Sequence, residues 1–316
     1  MIINQQKETP LQNIPEDWFT PSDKKGDEAE RVVRPSQSYW QDSWRRLRKN
    51  KLAMAGLVFL IFLIFMAIFG PIISPHSYNE TVLSNQNQPP SAEHWFGTDE
   101  LGRDVFARTW EGARISLFVG FMAALIDLIV GAIYGGIAGY RGGKTDAVMM
   151  RIVEVLYGLP YLLIVIMLMV ILGPGLWTII IALTVTGWLG MARIVRGQVL
   201  QIKNYEFVLA SKTFGANTSR IIRKNLLPNT MGVIIVQMTL SVPSAIFAEA
   251  FLSFLGLGIE PPLASWGSMA NAALPVILSG DWWRLFFPAF FISLTMFSFN
   301  VLGDGLQDAL DPKLRR

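Results

Sequence analysis

Cysteine is absent from this 316-residue chain, and histidine occurs only twice. Without thiols there is no disulfide, no cysteine-bound zinc or iron–sulfur cluster, and no thiol nucleophile. Charge is scarce as well: Asp, Glu, Lys and Arg make up 16% of the residues, against about 25% in an average soluble domain. With 52% hydrophobic residues, the composition excludes an ordinary soluble enzyme, a collagen and a low-complexity array. A G-x-x-x-x-G-K-[ST] phosphate loop is missing, so the chain is not expected to hold nucleotide by itself. Residues 1–35 lack the apolar core of a signal peptide. Their mixed charge and Pro10, Pro15 and Pro21 predict a disordered cytoplasmic tail.

What is present is apolar sequence in long runs. About 20 helical residues cross a bilayer core, and six stretches approach or reach that length: Leu52–Ile73, Ile115–Ala138, Met149–Leu172, Leu176–Ala192, Met231–Leu252 and Leu285–Leu302. Unbroken runs, without two-residue alternation, predict helices rather than a membrane barrel. The expected fold is therefore an all-α polytopic bundle of six spans, with Gly173-Pro174-Gly175 turning the third span into the fourth. Seventeen Lys and Arg adjoin the membrane on one side, and only Arg103, Arg108, Arg114 and Arg284 on the other. That bias predicts cytoplasmic termini in a plasma membrane, and it accounts for the basic excess without nucleic acid. Before the first span, Ser36–Lys51 sets Trp40, Trp44 and Leu47 on one helical face, predicting a helix lying in the headgroup region.

Polar residues inside or beside the spans are the candidates for function. Asp127 lies mid-span, where an unpaired charge costs at least ~2.5 kcal/mol; it either lines a translocation path or gate or makes an internal hydrogen bond. Glu249 has the same two readings. Arg151 and Glu154, one turn apart, read as an interfacial ion pair. Pro160 and Pro243 fall within spans and can kink them. Gly131, Gly135 and Gly139 form a small-residue strip suited to close helix packing. His94, Asp99 and Asp104 step by five residues, which scatters them around a helix, so neither a metal nor a catalytic site is expected there. Trp282 and Trp283 beside Arg284 read as an interfacial anchor.

One connection, Arg193–Thr230, is too long for a simple link. Val195, Val199, Ile202, Phe207, Ala210 and Phe214 recur at roughly helical spacing. Gly215 is placed to stop one helix, and Asn217 or Thr218 to cap another. Two short helices meeting at a glycine turn could insert into a groove of a soluble partner.

Here the sequence resembles the loop by which permease subunits of ABC importers dock on their ATPases. That pattern runs Glu-Ala-Ala, three residues, Gly, nine residues, Ile-x-Leu-Pro. Ala210, Gly215, Leu227 and Pro228 match it, whereas Leu209, Ser211 and Asn225 replace the acid, the second alanine and the isoleucine. Three further segments extend the likeness: HWFGTDELGRDVFARTWEGARISL, EAFLSFLGLGIEPPLASWGSM and NVLGDGLQDALDPKLRR. Together they resemble the C-type permease of prokaryotic dipeptide and oligopeptide ABC importers over residues 36–316.

The resemblance implies a permease domain over 52–316, after the tail at 1–35 and the surface helix at 36–51. It implies an importer of peptides, with a nickel complex, glutathione or another small solute as alternative cargo. Implied partners are a second, homologous permease, two ATP-binding subunits that carry ATP and Mg, and an extracytoplasmic substrate-binding protein. The chain itself would be non-catalytic and free of cofactors. The docking loop would comprise Glu206, Leu209, Ala210, Ser211, Lys212, Gly215, Ala216, Leu227 and Pro228. Asp99, Arg103 and Asp104 would meet the binding protein at the external mouth. An intramembrane hydrolase is disfavoured by the lack of paired intramembrane aspartates or an H-E-x-x-H motif. An ATPase-independent channel or carrier is the other alternative.

Overall fold

The computed structural model describes residues 38–311. The predicted tail at 1–35, Ser36, and the basic residues Lys313, Arg315 and Arg316 lie outside that range. Backbone contacts separate a unit Met1–Asp42 from a unit Ser43–Arg316. Of the first, residues 38–42 are described; Ser38 caps the start of helix α1 (Tyr39–Lys49), exchanging hydrogen bonds with Gln41. In the second unit Leu47 is buried while Trp44 stays exposed beneath the Arg48 guanidinium. Leu47, which the sequence set on one apolar face with Trp40 and Trp44, therefore faces protein.

All regular structure among the described residues is helical apart from one isolated bridge, Thr98 to Asp104. Asn50 separates α1 from α2 (Lys51–Ile73), its side chain accepting from the Ala53 amide. The second long helix, α3 (Val105–Arg141), starts ten residues before the predicted span because Asp104 caps it. It ends where Gly142 takes a left-handed φ of 65°.

The third predicted span is not a single rod. It is two helices, α4 (Gly143–Tyr157) and α5 (Tyr161–Leu172), bent by 80° at Gly158–Pro160. Pro160 has no amide hydrogen to donate and forces the preceding residue toward extended backbone, which ends α4 and starts α5 afresh. After a glycine turn, α6 (Leu176–Ile202) continues ten residues past the predicted span. The polar connection shrinks accordingly, since Val195 and Val199 are buried parts of α6 rather than loop. Within it lie α7 (Glu206–Thr213) and α8 (Thr218–Ile221). A π-helical turn, Ile222–Leu226, then carries the chain directly into α9 (Leu227–Leu252). Leu227 and Pro228 thus open a membrane helix; Pro228 is tolerated in its first turn, where no intrahelical donor is needed. A second π-helical turn, α10 (Trp266–Ala273) and α11 (Trp283–Leu310) complete the bundle.

Among the described residues, five helical stretches are long and apolar enough to cross a membrane, and the bent α4–α5 pair makes six. The closest packing joins α3 to α6. A Cβ on Gly131 would meet the Trp188 carbonyl oxygen at 2.9 Å, and one on Gly139 the Arg196 carbonyl oxygen at 2.9 Å; one on Gly135 would strike that of Ala192. The small-residue strip therefore lets two backbones touch within this chain. On the other flank, Gly56 of α2 lies equally close to the Ser298 carbonyl of α11.

Candidate functional site

Three polar regions punctuate the bundle. The first is the segment between α2 and α3, closed over the helix ends as a cap. Asp99 is its centre. Its Oδ1 accepts from the Leu101 and Arg103 amides at 2.9 and 3.0 Å, and its Oδ2 from Arg103 Nε at 2.7 Å, with Arg108 Nε at 3.4 Å. Asp104 divides its carboxylate: Oδ1 caps α3 through Ala107 N at 2.7 Å, and Oδ2 accepts from His94 Nδ1 at 3.0 Å. Asp99, Arg103 and Asp104 are all buried. They hold the cap together from inside, each bonded to neighbours within the chain; the sequence placed the same three residues at an external mouth as contacts for the binding protein.

The same cap consumes most of the predicted aromatic anchor. Trp283 is buried and donates from Nε1 to the Thr98 carbonyl at 3.1 Å. Arg284 is buried too, donating to Asn87 Oδ1 at 3.0 Å and the Ala272 carbonyl at 2.9 Å and pairing with Glu100. Only Trp282 stays exposed, as an interfacial residue should.

The second region lies inside the bundle. Glu249 has no exposed surface; its Oε2 accepts from Ser116 Oγ at 2.9 Å and its Oε1 from Ser253 Oγ at 2.8 Å. Ser116 Oγ in turn accepts from the amide of Trp266, whose indole donates to the Thr109 carbonyl at 2.9 Å. In this conformation Glu249 is a knot joining α3, α9 and α10, not the wall of an open path. Ser116 and Ser253 lie in two of the quoted segments, but nothing in the sequence pairs either of them with Glu249. Asp127 differs. It is half-buried, its Oδ1 has no hydrogen-bond partner, and its carboxylate lies against the Cα of Gly187 on α6. The glycine that interrupts the fourth apolar run is what makes room for this acid. Arg151 and Glu154 form the expected pair at 3.0 Å, well exposed.

The third region is the connection between α6 and α8. Helix α7 spans Glu206–Thr213 with Glu206 in its first turn and Lys212 in its last, both favourable to the helix dipole. Gly215 ends it at φ 77°, a conformation that most side chains resist. Asn217, rather than Thr218, caps α8, its side chain accepting from Arg220 N at 2.8 Å. Phe214 at the turn is 90% exposed, and Leu209 and Phe207 are exposed beside it. Two of the three substituted positions answer each other: Asn225 Nδ2 donates to Ser211 Oγ at 2.9 Å. That bond fastens α7 to the π-helical turn. At the root of α7, Lys203 Nζ donates to the Gly139 carbonyl of α3 at 3.0 Å, and Arg196 grips Asp146 of α4 through both carboxylate oxygens.

This fold and this polar surface define a multi-pass membrane protein with one tightly tied end and one presented loop. Residues 131–316 match the family model described as binding-protein-dependent transport system inner membrane component. Residues 38–90 match the N-terminal TM domain of oligopeptide transport permease C. The chain belongs to the binding-protein-dependent transport family, as a component of a transport complex in the inner membrane. It is 76% identical over 303 residues to the dipeptide transport system permease protein of Bacillus subtilis, covering 96% of this chain and 95% of that one. It is 59% identical over 306 residues to the oligopeptide transport system permease protein of the same organism, covering 97% and 100%. Against the oligopeptide permease of Haemophilus influenzae the identity is 46% over 292 residues, covering 92% and 93%.

Proposed function

We propose that this chain is the permease subunit of an ATP-driven importer of di- or oligopeptides. Similarity to a dipeptide and an oligopeptide permease over almost their whole lengths supports peptide as the cargo. ATP and Mg would reside on two partner ATPases, a homologous second permease would complete the path, and an extracytoplasmic binding protein would deliver peptide. The chain itself would break no covalent bond. Both termini and α7 would be cytoplasmic, in line with the bias of Lys and Arg to that side.

The observation that carries the mechanism is how α7 is attached. An exposed helix with Phe214 and Leu209 outward suits a groove on a soluble partner. Its base continues from α6, which lies backbone to backbone on α3 along the glycine strip. Lys203 and Arg196 add direct ties to α3 and α4. A push on α7 is therefore delivered to helices that move as rigid bodies, the requirement for alternating access. Asp127, without a partner on one oxygen, stays the candidate for the path or gate.

Gentle extraction of the tagged chain, followed by mass spectrometry, tests the assembly. Recovery of ATPases, a second permease and a binding protein holding peptide is the expected result; recovery of the chain alone counts against it. Gly215→Asp tests the docking loop, because the added charge and the strain of a side chain at φ 77° both fall on the presented turn and not on the bundle: a Cβ there meets nothing within 4 Å. Peptide uptake should be lost while the protein remains folded in the membrane, and normal uptake would refute the role given to α7.

A further inference from the structure

The chain's two histidines, 18 residues apart in sequence, lie side by side in the cap. Their ring centroids are 4.4 Å apart, and one donor atom from each of His76, Glu93 and His94 lies within 4.8 Å of the others. His94 is 3% exposed, and its Nε2 is buried without a hydrogen-bond partner. Its Nδ1 faces the Asp104 carboxylate at 3.0 Å. A carboxylate only accepts, so Nδ1 holds the proton and, in the neutral ring, Nε2 holds a lone pair. His76 Nε2 is 3.2 Å from the Glu93 carbonyl oxygen, which likewise assigns the proton there and leaves Nδ1 as the donor to a ligand. Two imidazole nitrogens, a carboxylate, and an outer carboxylate orienting one ring are the parts of a metal site.

We propose that His76, Glu93 and His94 bind a divalent first-row transition metal, of which Zn2+ is the best match. Imidazole nitrogen selects such ions over Mg2+ and Ca2+, which take oxygen donors. Tetrahedral Zn2+ with bonds of about 2.0–2.1 Å holds its donors about 3.3 Å apart. Exposed Glu93 and half-buried His76 supply the movement that closes the cluster, while His94 is fixed. Such an ion would join the residues following α2 to the N-cap of α3, pinning the cap between the two helices it connects.

Zn2+ alone is the probe. The full chain, carrying a tag without histidines, is stripped with chelator in detergent and titrated against a chromophoric competitor, with bound metal counted by mass spectrometry. One Zn2+ per chain is expected, with affinity reduced at least about tenfold in His76→Gln and in Glu93→Gln, both of which leave the core intact. Asp104→Asn is expected to weaken Zn2+ by about 10–100-fold while keeping a competent helix cap; equal Zn2+ affinity there would deny Asp104 its orienting role. Zn2+ should also raise the thermal midpoint of the unmodified chain and not that of His76→Gln. Binding no stronger in the unmodified chain than in His76→Gln, or a stoichiometry that survives both substitutions, would overturn the site.

Discussion

Between α2 and α3, Asp99, Arg103 and Asp104 are all buried, as is Arg108 in the first turn of α3, and they spend their charges on one another, on His94 and on nearby amides. Between α6 and α8, Phe214, Leu209 and Phe207 stand exposed, and α7 is tied to the following turn by the bond from Asn225 to Ser211. Both connections are polar in composition and similar in predicted exposure, yet one is folded inward and the other outward. The difference lies in what completes each. The cap is completed by its own chain, with Trp283 and Arg284 arriving from far along the sequence. The α7 loop has apolar surface left over, which suits the docking role proposed for it.

The sharpest way to break this comparison is Asp99→Ala. It leaves two guanidinium groups buried without their shared carboxylate, a loss of about 3–5 kcal/mol by the usual cost of breaking a buried pair. Thermal unfolding in detergent should show a large fall in midpoint, and an unchanged midpoint would mean that the cap is not held by its charges. A smaller loss is expected from Gly135→Val, which drives a branched side chain into the Ala192 carbonyl on α6. Overpacking of this kind costs about 1–3 kcal/mol, and transport should fall with stability because α3 and α6 separate.

Smaller again is Asn225→Ala, which removes one hydrogen bond worth about 0.5–1.5 kcal/mol. Proteolysis of α7 in the isolated chain should quicken while the bundle midpoint hardly moves. Phe214→Ala closes the series, with no expected change in the midpoint of the isolated chain, since the ring is almost wholly exposed. Its effect should appear only in recovery of the ATPases, and undiminished recovery would remove Phe214 from the docking surface. The order is the comparison made quantitative: cap residues act on folding, α7 residues on assembly.

Apolar runs located every long helix, because a bilayer-spanning length and the lack of alternation are properties of the sequence itself. Their ends were less legible. Asp104 starts α3 early by capping it, and α6 runs on to Ile202 because Val195 and Val199 find a buried face there. Pro160 was visible as a possible kink, but not as a bend of 80°. For the candidate sites the balance reverses. Gly215 and Asn217 could be read as stop and cap because both act on their immediate neighbours. The inward turn of Asp99 and Arg103 could not, since it depends on Arg108, Trp283 and Arg284 being gathered around them. Nor could Ser211 and Asn225 be read as a pair, although both stood out as departures from the docking pattern.

The sequence by itself thus determined a helical membrane protein, its long apolar segments and the glycine turn that ends α7, all of which rest on local composition and backbone preference. Only the tertiary structure decided that Glu249 is sealed by Ser116 and Ser253, that Asp127 lies against Gly187, and that His76 lies beside His94. Each is a meeting of residues from separate elements. Desolvation fixes what such a side chain does only once the fold has chosen its neighbours.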